Sequence, residues 1–141
     1  MRGFSLLLLG AALGSCAAVP GSSDQSARSA KMERRFQELT ANKVAQPSVN
    51  CLPAYRSSAN DMTVIDDRTV VFQQNSSRVY VAHMQGSCPN IGVGPYALVT
   101  HQVGTASICR GDIADVVDTM ARTTVGSCVF GDFTPYVRPG A

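Results

Sequence analysis

Between residues 62 and 84 the chain reads MTVIDDRTVVFQQNSSRVYVAHM, short apolar stretches interrupted by DD and by QQNSS. Alternating, β-branched runs bounded by turn residues are the signature of strands joined as hairpins. The spacing predicts strands over 63–65, 69–72 and 78–84. Asp66 and Asp67 form the first turn, where a carboxylate can accept its own backbone N–H groups, and residues 74–77 form the second. In the third strand Val79, Val81 and His83 fall on one face, and Tyr80, Ala82 and Met84 on the other. Both faces are partly apolar, which predicts a strand in the middle of its sheet.

Downstream, Cys88-Pro89-Asn90 and Gly92-Val93-Gly94-Pro95 read as a loop leaving the sheet. A strand over 96–103 aligns Val99, His101 and Val103; Gly104 breaks it and 107–109 resumes. Arg110-Gly111-Asp112 reads as a turn, with Gly111 supplying a positive φ and Asp112 bonding backbone amides. Asp112 could instead cap a helix over 113–123, but Ile113, Val116 and Val117 favour a strand over 113–117. Residues 124–130 make the last strand, and Gly131-Asp132-Phe133-Thr134-Pro135 closes the domain. The expectation is an all-β fold, a small antiparallel barrel or sandwich of about five to seven short strands.

Upstream the pattern changes. Residues 1–15 carry Arg2 and the apolar run FSLLLLGAALG, the layout of a secretory signal and too short to span a bilayer as a helix. Leu13-Gly14-Ser15-Cys16 resembles the bacterial lipobox, which predicts a lipid on Cys16 and the membrane as partner. Cleavage after Ala17 or Ala18, giving a secreted periplasmic protein, is the alternative. Ala17 stands where an aspartate would resemble an inner-membrane retention signal, so the periplasmic face of the outer membrane is preferred. Residues 17–30 read as a flexible tether, and 31–42 as a short amphipathic helix with Ser29 as candidate N-cap. Met32, Phe36 and Leu39 share its apolar face, expected to pack on the domain rather than on a membrane or partner. The chain thus divides into 1–16 (signal and lipidation cysteine), 17–46 (tether and helix) and 47–141 (β-domain).

Composition sharpens this picture in two places. Five cysteines, less Cys16, leave Cys51, Cys88, Cys109 and Cys128, an even set expected to form two disulfides in an exported domain. No pair has the close spacing of a zinc site. Of three connectivities, local closure favours Cys51–Cys88 with Cys109–Cys128, each bridge contributing about 3–4 kcal/mol by loop entropy. From Cys51 onward there are six arginines and seven aspartates and no lysine or glutamate, which excludes the basic footprint of a nucleic-acid-binding protein.

Candidate chemistry is sparse. Oxidised cysteines are not nucleophiles, and no GxSxG elbow occurs. His83 and His101, at matching strand phase, could join Asp112 in a weak metal site, although no local spacing fixes the three together. Asp112, Asp115 and Asp118 recur every three residues, a spacing that alternates faces on a strand and pairs no acid with a base. No cofactor is expected.

The domain nonetheless resembles a known family. Cys51 with Arg56, VIDDRTVVF (64–72), RVYV (78–81), SCPNI (87–91), ICRGD (108–112) and SCVFGDFTPY (127–136) are similar to small secreted or lipoprotein domains of Gram-negative bacteria known only as a domain of unknown function. The resemblance implies envelope localisation and a compact cysteine-containing domain, and carries no activity or functional residue; His83 and His101 lie outside the shared pattern. The expected function is therefore a non-enzymatic binding or structural module with an envelope protein as partner. Its alternatives are an inhibitor of a cell-wall hydrolase acting through a protruding 87–95 loop, and a small metal-dependent enzyme built on His83, His101 and a carboxylate.

Overall fold

The computed structural model of the protein describes residues 22–53, 62–100 and 107–140. The hydrophobic alternation folds as expected: β2 (Met62–Val64), β3 (Thr69–Asn75) and β4 (Arg78–Met84) form successive antiparallel pairs. Side-chain oxygens build both turns. Asp66 Oδ1 accepts the N–H of Arg68 at 2.7 Å, and Asn75 Oδ1 accepts those of Ser77 and Arg78 at 2.9 and 2.8 Å. β4 lies between β3 and β7 (Thr123–Val137), and its two apolar faces are both buried except at His83.

Seven strands make one antiparallel sheet curled into a half-barrel, in the order β2-β3-β4-β7-β6-β5, with β5 at Tyr96–Thr100 and β6 at Ile113–Asp118. β1 (Val44–Ala45) pairs with the end of β7. The concave face holds the main core around Phe72, Phe130 and Phe133, whose ring centroids lie 5.8–6.1 Å apart, the separation favoured by edge-on and tilted aromatic pairs.

The longest strand corrects the expectation that the last strand stops at residue 130 and that 131–135 only closes the domain. β7 runs straight through that segment. Two devices let it. Opposite His83 the pairing steps from Ala82↔Phe133 to Met84↔Phe130, so Gly131 and Asp132 together face one residue. This bulge shifts the phase of the strand and brings Phe130 and Phe133, three apart in sequence, to the same core. Pro135, paired with Tyr80, accepts a hydrogen bond from Gln46 N–H at 2.8 Å. N–H and C=O of one antiparallel residue point the same way, so the missing donor of proline faces the short β1 side and the ladder with β4 loses nothing.

The helix is also longer than its periodic face suggests. α1 spans Ser22–Thr40, so the expected tether is helical from residue 22 onward. Its SSDQSARSA start holds no glycine or proline, and Ser29, the candidate cap, sits inside the helix with its hydroxyl donating to Gln25 C=O at 3.0 Å. Met32, Phe36 and Leu39 pack on the convex face of the sheet against Val71, Val79, Val81 and Tyr136, as the periodicity predicts. Leu39 is the buried member of that stripe, so Leu39→Ala is expected to cost about 2–3 kcal/mol. Denaturant midpoints would measure the loss, and hydrogen exchange should quicken along α1 before it does in β4.

The four cysteines pair as Cys51–Cys109 and Cys88–Cys128, which overturns the local pairing expected from sequence. The reason is topological. Cys51 and Cys109 face each other in an isolated antiparallel bridge, held by Leu52 N–H to Ile108 C=O at 2.8 Å and Arg110 N–H to Asn50 C=O at 2.6 Å. Cys128 belongs to β7, the neighbour of β4, and so lies beside the segment that leaves β4 at Cys88.

Candidate functional site

Of the metal candidates, His83 and Asp112 sit in different surroundings. His83 points outward at the bulge and lines a hollow of about 340 Å³ with Ser48, Arg110 and Asp132. Arg110 Nη1 lies 3.3 Å from both carboxylate oxygens of Asp132, and Ser48 Oγ and Thr134 Oγ1 share a 2.9 Å hydrogen bond. Four of the polar side chains at this hollow are thus paired with one another, and Gln85 Nε2 donates to Phe130 C=O at 2.8 Å. Asp112 is used elsewhere: its carboxylate accepts the N–H of Cys109 at 2.7 Å, while Gly111 takes φ 92°, so Arg110-Gly111-Asp112 is the turn that its residue types imply. Asp118 similarly accepts the N–H groups of Met120 and Ala121, each at 2.9 Å. His101 lies outside the described residues, and among those residues no three His, Cys, Asp or Glu side chains are grouped to hold a metal ion.

A different surface brings more of the chain together. The N-terminal half of α1, the 64–67 turn and the 87–93 segment enclose a groove of about 420 Å³. Met32, Val64, Ile65 and Ile91 supply its apolar lining, with Ile65 and Ile91 buried. Its polar lining is charged with both signs: Arg28 from the helix, Asp66 and Asp67 from the turn. Val93 is half exposed at 49%.

The 87–93 wall is anchored. Cys88 is fully buried and bonded to Cys128, its N–H donates to Asp67 C=O at 2.7 Å, and the Ser87 hydroxyl donates to the Asp67 carboxylate. Asn90, Gly92 and Gly94 all take positive φ, at 68°, 72° and 59°. Gly92 is required twice over, since a Cβ there would also press to 3.0 Å from Val64 Cγ1. The segment therefore folds down against β2, with Ile91 as its plug into the core.

Sequence reasoning missed the helical wall. The signal was present, because Gln25, Arg28, Ser29 and Met32 continue the i, i+3, i+4, i+7 spacing of the apolar face back toward the N-terminus. Their polar types concealed it, and a tether was expected in their place.

The family comparison covers both the groove and its supports, matching residues 1–135 to a family of unknown function. The chain belongs to DUF6491. The DUF6491 match takes in α1 and the N-terminal segment as well as the sheet, a wider span than the cysteine-centred resemblance alone. No match exists among curated proteins or among solved structures.

Proposed function

We propose that this DUF6491 chain is an exported, lipid-tethered module of the cell envelope that binds a protein partner in the groove between α1 and the 87–93 segment. The observation that carries the reading is the construction of that groove. The 64–67 turn and the 87–93 segment are braced together by the Cys88–Cys128 bridge and the bonds of Asp67, and α1 joins them through the packing of Met32 in the Ile65 cluster. Concave sites with an apolar lining and a few placed charges suit recognition, and a rigid wall lowers the ordering cost of binding. Two disulfides favour an oxidising compartment, and the fifth cysteine, Cys16, ends an apolar signal-like run. Gln25 of the groove follows Cys16 by nine residues, so the binding surface would sit at the anchored end of the domain.

The inhibitor reading asks for a protruding loop, whereas the 87–93 segment lies against β2. The metal-enzyme reading asks for His83, His101 and a carboxylate in one pocket; His83 shares its hollow with Asp132, whose carboxylate is paired with Arg110, and His101 lies outside the described residues.

Intact-mass spectrometry of the mature protein is expected to find diacylglycerol-type lipid on Cys16; a mature chain beginning at Ala18 or Val19 would remove the anchor. A photoreactive residue replacing Val93 in cells is expected to give one discrete adduct, absent from the same probe at exposed Met120 and lost in the R28E background. A folded, exported protein with no adduct at Val93 would sink the groove as a binding surface.

A further inference from the structure

The far end of the sheet carries a second, oppositely equipped surface. Arg78 opens β4 and pairs with Val137 at the end of β7, which in turn pairs with Val44 of β1. There Val44, Gln46, Arg78, Arg138 and the Pro139-Gly140 turn line a hollow of about 460 Å³. Local bonds fix the two arginines close together. Arg138 N–H donates to Ser77 C=O at 2.9 Å, and Arg78 N–H to Asn75 Oδ1 at 2.8 Å.

Neither guanidinium has a carboxylate partner among the described residues; the ion pairs there are Arg35–Glu38 and Arg110–Asp132. Among the described residues no carboxylate lines this hollow, although Asp66, Asp67 and Asp132 line those beside the helix and at the bulge. Two like charges sharing a concave surface repel, and the half-buried position of Arg78 adds a desolvation cost. An anion with several oxygens relieves both, because each guanidinium presents a planar fork of N–H donors suited to bidentate contact.

We propose that the hollow between Arg78 and Arg138 binds a phosphate group, either free or in the headgroup of an anionic lipid. The two oxygens of one phosphate face are bridged by the two guanidinium forks, and exposed Val44 and half-buried Val137 form the apolar wall beside them. The site is independent of the groove under α1 and would stand if that reading failed.

The test uses the mature, disulfide-intact protein. Binding of inorganic phosphate is followed by NMR shifts at Arg78 and Arg138, and flotation is measured with vesicles of 30% phosphatidylglycerol in phosphatidylcholine against phosphatidylcholine alone. Saturable phosphate binding identifies a soluble anion as ligand; flotation with anionic vesicles alone identifies the headgroup. In either case R78Q/R138Q is expected to weaken binding at least tenfold, exposed R138Q alone several-fold, and the control R122Q less than twofold. Absence of both binding activities, or an equal loss in R122Q, overturns the proposal.

Discussion

Replacing Gly131 with alanine is expected to destabilise the domain by about 2–4 kcal/mol, a large effect for one methyl group. Gly131 sits in the bulge where two residues of β7 oppose His83 of β4. A Cβ built there runs into the carbonyl oxygen of His83, a backbone atom at the centre of the sheet with no rotamer by which to escape. Relief requires β4 and β7 to separate, and that would break the alignment of Phe130 with Phe133 under Phe72. Gly126, on the same strand, is the matched control. Its built Cβ meets only Pro89 Cγ at 3.6 Å, an ordinary contact, so Gly126→Ala should change stability by less than about 0.5 kcal/mol. Paired urea melts of the two variants would measure the contrast. A Gly131→Ala protein as stable as Gly126→Ala would show that the bulge does not hold the strands at this distance.

The second large effect is expected at the disulfides. Their sequence separations of 58 and 40 residues correspond to about 4 kcal/mol each by loop entropy, too similar to distinguish the two bridges. Burial distinguishes them. Cys88 and Cys128 are both buried, whereas Cys51 is exposed and Cys109 half-buried. Mild reductant under native conditions should therefore open Cys51–Cys109 first, leaving Cys88–Cys128 protected until the domain unfolds. Removing the buried bridge as Cys88→Ala/Cys128→Ala should lower stability by about 4 kcal/mol, enough to unfold much of a marginal small domain. It should also loosen the 87–93 wall of the groove, which Cys51→Ala/Cys109→Ala should spare. Peptide mapping of the unreduced protein tests the connectivity itself, and a Cys51–Cys88 peptide would contradict it.

Local chemistry was readable and long-range chemistry was not. The β3–β4 hairpin, the carboxylate turn at Asp66 and the glycine turn at Gly111 each follow from a few adjacent residues, and each was legible. β4 was legible as a central strand because both its alternating faces are apolar. The disulfide pairing was hidden because it depends on β7 lying beside β4, a neighbour relation that no local pattern encodes. Gly131 and Pro135 look like breakers, yet one relieves a steric conflict and the other turns its missing N–H toward the sparsely paired side. For the candidate site, the 87–95 loop stands out in the sequence, whereas Gln25, Arg28 and Ser29 of the helical wall read as tether. His83 was singled out as well, but its hollow-sharing partner is Asp132 rather than Asp112, an outcome set by the bulge.

The placement of β7 also dictates when the protein can fold. It follows every other described strand in sequence, yet β4, β6, β1 and the Val49 bridge all pair with it. Val44 waits for Val137, and Cys88 waits for Cys128. Such wiring has high contact order and leaves the growing chain without its central ladder until β7 has been made. If the chain is exported as proposed, this dependence would keep it open and threadable until the fifteen-residue β7 closes it on the oxidising side, where both cross-links can form.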